Sequence, residues 1–157
     1  MSNHDVSARS RAQVLIDALQ LAPHPEGGWY REVFRSDAAS TIYFLLADGA
    51  HSRWHRVTSD EIWHHYEGAP LELFVIDPEL RELRRHVLGG VDPDGEARPV
   101  HTVPAGWWQA ARTLGPCTLV GCTVAPAFRF EDFALLDDRP DDARVLRAHF
   151  DEVRALG

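Results

Sequence analysis

Between Trp29 and Leu135 the chain is a succession of short apolar and β-branched runs, each closed within a few residues by a turn signal such as Asp48-Gly49, Gly68, Asp77-Pro78, Gly89-Gly90, Asp94-Gly95 or Gly115-Pro116. Punctuation this frequent suits a closed barrel or jelly roll better than alternating βα units. Approximate strand cores fall at 29–35, 40–47, 51–57, 61–67, 71–77, 82–88, 98–103, 107–113, 117–124 and 129–135, from which eight or so strands are expected. An all-β closed barrel or jelly roll over about residues 27–136 accommodates them. Asp92-Pro93-Asp94-Gly95 reads as the clearest hairpin turn, and Glu26-Gly27-Gly28 reads first as a turn, with a ligand role second.

Short helices flank the barrel. Over about 10–21, Val14, Leu15, Ala18 and Leu19 recur at helical spacing before Pro23 and Pro25, and this helix is expected to lid the barrel. Pro140 with Asp141 and Asp142 opens a second helix, to about 156, whose Val145, Leu146, Phe150 and Val153 should pack on the barrel. At 157 residues and 45% hydrophobic, the chain reads as one domain.

The net charge of -8 offers nothing to a nucleic-acid backbone or an anionic membrane, and neither is an expected partner. All 16 basic residues are arginine, which excludes Schiff-base and lysine general-base chemistry. Cys117 and Cys122 lie at odd spacing on one strand and should face opposite ways, so reduced thiols and a cytoplasmic location are expected. The N-terminal MSNHDVSARSRAQ has no apolar core and no run reaches membrane-spanning length, so neither export nor a span is expected.

Chemistry concentrates between His51 and Gly68, which hold four of the nine histidines. Strict alternation puts His51, Arg53 and His55 on one face of a strand, and Glu61, Trp63 and His65 on one face of the next, opposite His64 and Tyr66. Imidazoles, a guanidinium and a carboxylate beside an indole make an odd core but a reasonable pocket wall.

From His55 to Gly68 the chain resembles the first cupin motif, with His55 at its second histidine, Glu61 at its glutamate and Gly68 at its glycine; the gap to Glu61 is one residue longer than usual. Pro104-Ala105-Gly106-Trp107-Trp108-Gln109 echoes the second motif with Gln109 in place of its histidine. Over about 14–136 the chain is similar to the cupin-5 branch, on His24-Pro25-Glu26-Gly27-Gly28-Trp29-Tyr30, Thr41 to Leu46, Ser52 with His55-Arg56, Ser59 to His64, and Pro126, Phe128, Asp132 and Phe133. The resemblance implies a jelly-roll barrel akin to the sugar-nucleotide 3,5-epimerases, usually a homodimer, and no settled reaction. Dimerisation is expected through the strand at Trp29 to Arg35.

Two of the four usual cupin metal ligands are replaced, by Arg53 and Gln109, so no cofactor is expected; a divalent metal, if held, would take His55, Glu61, Gln109 and His51. Without metal the chemistry left is proton transfer, with His55 as general base, Glu61 orienting it or acting as acid, and Tyr43 a proton donor from another wall. Arg53 and Gln109 would steady an enolate or carboxylate oxygen, with Ser52, Trp63, His65, Trp107 and Phe128 contacting the substrate. Of the adjacent Trp107 and Trp108 only one can line the pocket. The set suits proton abstraction alpha to a carbonyl, hence epimerisation, isomerisation or cyclisation of a small metabolite. A metal-dependent oxygenase or isomerase and a non-catalytic binding protein are the alternatives.

Overall fold

The computed structural model describes residues 9–156, so the reading of the extreme N-terminus falls largely on residues 1–8, outside that range. Helix α1 (Arg11–Leu19) opens on Ser10, whose hydroxyl accepts the Gln13 N–H at 3.1 Å, and ends on Gln20 in the left-handed conformation. Eleven strands follow: β1 (Ala22–Pro23), β2 (Trp29–Arg35), β3 (Ser40–Ala47), β4 (His51–Val57), β5 (Asp60–Gly68), β6 (Leu71–Ile76), β7 (Leu83–Leu88), β8 (Val100–Val103), β9 (Trp108–Thr113), β10 (Cys117–Ala125) and β11 (Phe133–Leu135). Helices α2 (Pro140–His149) and α3 (Asp151–Ala155) close the chain.

The strands form two antiparallel sheets, in the orders β1-β2-β3-β10-β5-β8 and β11-β4-β9-β6-β7, which face each other as a jelly roll. Alternation sorts side chains to two sides of each sheet. Phe44, Leu46, Trp63, Leu71, Leu73, Val75, Ala111, Val120 and Cys122 point inward and fill the barrel. Leu45, Ala47, Cys117 and Leu119 point outward from the first sheet and are covered by Ala12 and Leu15 of α1. Outward from the second sheet, Trp54, Phe74, Ile76 and Trp108 are covered by Ala143, Leu146, Val153 and Leu156.

These contacts correct two expectations. Helix α1 does not lid the barrel; its apolar face is spent on the back of the first sheet. The C-terminal helix is two helices, because Phe150 is extended (φ -129°, ψ 120°) and breaks the first before the second begins. Cys117 and Cys122 do face opposite ways, both buried and free, on the helix side and the barrel side of β10.

The Asp92 to Gly95 turn is present, closed by the Gly95 N–H to the Asp92 carbonyl at 3.1 Å, but it joins no hairpin. It lies on the passage from β7 to β8, which belong to different sheets. The strand expected at 129–135 is reduced to β11, preceded by a single 3-10 turn over Phe130–Asp132. Phe128 is pinned on both sides, its N–H donating to Ser40 Oγ at 2.8 Å and its carbonyl accepting from Arg35 Nη1 at 2.7 Å, and the segment arches over one end of the barrel.

Candidate functional site

Under that arch lies a cavity of about 480 Å³, a volume suited to one small molecule. Its lining is graded. The exposed rim carries Gln20, Arg31, Glu32, Arg35 and Phe130; the walls are Tyr30, Ile42, Val57, Val124, Phe128 and Phe133; the floor is Glu26, His55, Glu61 and Cys122, all buried.

His55 and Glu61 reach the floor from opposite sheets, because the Thr58-Ser59 corner carries the chain from β4 into β5. His55 faces inward because β4 is bulged. Ser52 pairs with Ala111 and His55 with Gln109, so three steps on β4 match two on β9. The extra residue shifts the alternation, and Ser52 and His55 both turn into the barrel while Trp54 turns out.

The same bulge overturns the expectation that Arg53 shares the face of His55. Its guanidinium donates instead to the Pro25 carbonyl at 2.5 Å, outside the cavity. His51, paired with the outward Arg112, is likewise outside. Tyr43 stands on the outer face beside Leu45, its ring edge-on to Tyr66 at 6.2 Å, and cannot donate a proton into the site.

On β5 the alternation is as expected, yet depth separates its members. Glu61 is at the cavity, Trp63 is fully buried below it, and His65 lies near the far end of the strand with Nε2 3.2 Å from the Gly68 carbonyl. Trp107 packs against the barrel core beneath Arg84, and Trp108 is buried under the C-terminal helices, so neither lines the cavity. Phe128 does line it, together with Phe130 and Phe133, all three edge to face.

The residue that sequence reading undervalued is Glu26. It sits 2.7 Å from His55 Nε2 through Oε2, off the axis of the ring N–H, so that among the described residues Oε2 has no aligned hydrogen-bond donor. The turn that holds it depends on glycine: Gly27 (φ 105°) and Gly28 (φ 75°) occupy the left-handed half of conformational space, and a Cβ on Gly27 would collide with the His51 carbonyl. Arg53 N–H donates to the Glu26 carbonyl at 2.7 Å and locks the turn onto β4. Two glycines directly after a glutamate, just ahead of a strand, were the available signal.

The floor is a chain of coupled groups. Burial alone would depress His55, but the Glu26 carboxylate overrides it, aided by Glu61 and by the Arg53 carbonyl 2.7 Å from Nδ1, and raises the imidazole to about 9. Glu26 is held below the usual carboxylate range despite its burial, chiefly by His55, with His24 and the Ser52 hydroxyl assisting. Burial, reinforced by the Glu26 charge, raises Glu61 to about 7 against the pull of His55. His24 is lowered by burial, and its Nδ1 accepts the Glu26 N–H at 3.1 Å, so it is the neutral tautomer protonated on Nε2. Burial and the two carboxylates push the Cys122 thiol well up, so it is no nucleophile.

Gln109 is buried and spent. Its Nε2 donates to Glu61 Oε1 at 3.0 Å and its Oε1 accepts from Trp63 Nε1 at 2.9 Å. It does not line the cavity, and it fixes the carboxylate that does. The expected metal set therefore fails: His51 faces away, Gln109 does not line the cavity, and both ring nitrogens of His55 already face oxygen atoms. Among the described residues no three His, Cys, Asp or Glu side chains stand where they could hold a metal ion.

A jelly roll with its histidine and glutamate at one end of the barrel defines a cupin-type small-molecule-binding domain. The chain belongs to one branch of it in particular: residues 13–136 match the Cupin_5 family, described as "Cupin superfamily (DUF985)". A solved protein from Shewanella oneidensis is 34% identical over 100% of this chain and 98% of its own, with a TM-score of 0.83. A hypothetical protein from Leishmania major is 33% identical over 88% of this chain and 98% of its own, with a TM-score of 0.74. An oxalate decarboxylase from Bacillus subtilis, a protein described with Mn(II) centers, shares the fold at 17% identity and a TM-score of 0.62 over 86% of this chain, which spans 37% of it. No curated protein matches the sequence. Among the described residues no helix is long and apolar enough to cross a membrane.

Proposed function

We propose that this cupin is an acid-base enzyme that enolises a small carbonyl-bearing metabolite, in an isomerase, epimerase or cyclase reaction. The observation that carries the reading is a carboxyl and a protonated imidazole of separated affinities, Glu61 near 7 and His55 near 9, on one buried floor. Between those values Glu61 is free to accept a proton while His55 still carries one. Their roles are the reverse of those expected from the sequence.

With the carbonyl oxygen against the His55 N–H, Glu61 removes the α-proton, the C–H electron pair moves into the enol, and the oxygen's new charge is met by the imidazolium. Return of the proton from Glu61 to the same or a neighbouring carbon sets the product. Glu26 keeps His55 protonated, Gln109 keeps Glu61 aimed, and Tyr30, Phe128 and Phe133 exclude water.

The test is proton-deuterium exchange at the α-carbon of carbonyl compounds in heavy water, followed by NMR. Exchange that depends on both His55 and Glu61 supports the reading; binding without exchange replaces it with a carrier. The assembly we propose is a homodimer through β2, which β1 covers only at Trp29 and Tyr30 and which exposes Val33 and Phe34. A monomer in analytical ultracentrifugation would overturn that. The two buried reduced thiols suit a reducing, cytoplasmic location.

A further inference from the structure

The floor of the cavity carries more carboxyl groups than cations. One Gln109 Nε2–H is given to Glu61 and Trp63 Nε1–H to Gln109, while His24, protonated on Nε2, and Tyr30 line the cavity as neutral donors. His55 Nδ1 lies 2.7 Å from the Arg53 carbonyl, which leaves Nε2 as its one cavity-facing nitrogen, beside Glu26 Oε2. Two carboxyl groups thus face one protonated imidazole, His24 being neutral, and Glu26 Oε2 lacks an aligned donor among the described residues.

An anion needs an uncompensated cation beside its donors, and this floor supplies none, His55 being paired with Glu26. The guanidinium groups of the lining are at the rim. Arg35 is tied through Nε and Nη2 to Glu32, at 2.8 Å each, and through Nη1 to the Phe128 carbonyl. Arg31 is exposed and reaches Gln20 Oε1 at 2.9 Å. Between rim and floor the walls are apolar and aromatic, with Phe133 stacked on His55 at 5.6 Å between ring centroids.

We infer that the substrate is a carbonyl compound uncharged at its reacting end, with an aromatic or similarly flat apolar body, and that a carboxylate or phosphate beside the carbonyl is rejected. The inference rests on the enolising reading for the carbonyl, and on the charge balance of the floor and the wall chemistry for the rest. The neutral head meets the Nε2–H of His55, while a carboxylate in its place would lie against Glu61 and Glu26 without a counter-ion.

Phenylacetone and phenylpyruvate share the ring and the ketone and differ only by methyl against carboxylate on the carbonyl carbon. Titration of each into the whole protein in mildly alkaline buffer, followed by NMR, is expected to give a dissociation constant about tenfold or more lower for phenylacetone. Glu61→Gln, which removes one charge and keeps the shape, is expected to narrow that gap about threefold or more. Equal or tighter binding of phenylpyruvate, or no binding of phenylacetone at millimolar concentration, overturns the inference. Exchange in heavy water is read on the same samples: the preference without exchange sinks the enolising reading and leaves the neutral apolar ligand class standing, and exchange with the preference reversed does the opposite.

Discussion

Glu26 Oε2 lies 2.7 Å from His55 Nε2, and the two residues come from a glycine-supported turn and a bulged strand that no ladder joins. The carboxylate is what keeps a buried imidazole protonated where burial alone would neutralise it. Glu26→Gln preserves the shape and removes the charge, so His55 loses its proton in the working range. The expected outcome is a loss of α-proton exchange of about 100-fold or more with the fold retained, since a positioned acid supplies an effect of that order. Exchange rates by NMR, beside an unchanged near-ultraviolet circular dichroism spectrum, check it.

The rate of exchange should describe a bell against pH. The rising limb is the deprotonation of Glu61 near 7 and the falling limb the loss of the His55 proton near 9. In Glu26→Gln both limbs should move to lower pH, because the Glu26 charge helps to raise His55 and Glu61 alike. A single limb in the native protein would remove one of the two residues from the chemistry.

Stability has its own pH signature. His55 has a folded affinity of about 9, raised above its ordinary 6.5, so its stabilising contribution is complete below 6.5 and is lost as pH climbs through 9. Glu61, raised from 4.5 to about 7, likewise contributes fully below 4.5 and loses its contribution as pH rises through 7. Between neutral and pH 9 the unfolding free energy should therefore fall with a slope of up to about 1.4 kcal/mol per pH unit from His55, and His55→Gln should remove that part of the slope. Urea melts of both proteins across this range measure it.

The barrel, its branch of the cupins and the floor pair His55 and Glu61 were legible in the sequence, because turn punctuation, motif spacing and β5 alternation are local signals. The rest of the site was hidden by two non-local facts. A bulge between Ser52 and His55 exchanged the faces of Arg53 and Ser52, and no alternation rule announces where a strand will bulge. Tyr43 was misplaced for a related reason: only the covering helix α1 tells which side of β3 is the outside. Glu26 was masked by its own turn, whose residues serve the backbone first and deliver the carboxylate as a consequence.

Gln109 bridges two buried partners, and its removal should be felt as stability before it is felt as rate. Gln109→Ala leaves Trp63 Nε1 without an acceptor and Glu61 Oε1 without a donor. Each buried group stripped of its partner costs about 1–3 kcal/mol, so the denaturation midpoint should fall sharply. With one stabilising donor gone, Glu61 should rise further, carrying the rising limb of the pH profile with it. A midpoint unchanged from the native protein would mean that water or a rearranged side chain fills both roles.

Two substitutions separate the turn from the wall. Gly27→Ala places a Cβ against the His51 carbonyl at a φ of 105°, a conformation that an L-residue adopts only under strain. It should cost more than about 1 kcal/mol of stability and displace Glu26, so that exchange falls and the falling limb of the pH profile moves to lower pH as it does in Glu26→Gln. Tyr43→Phe removes a hydroxyl from the outer face of the first sheet and should leave both the rate and the profile as they were. If Tyr43→Phe lost activity while Gly27→Ala kept it, the proton path would run through the back of the sheet, and the assignment of the acid to the pair formed by Glu26 and His55 would be wrong.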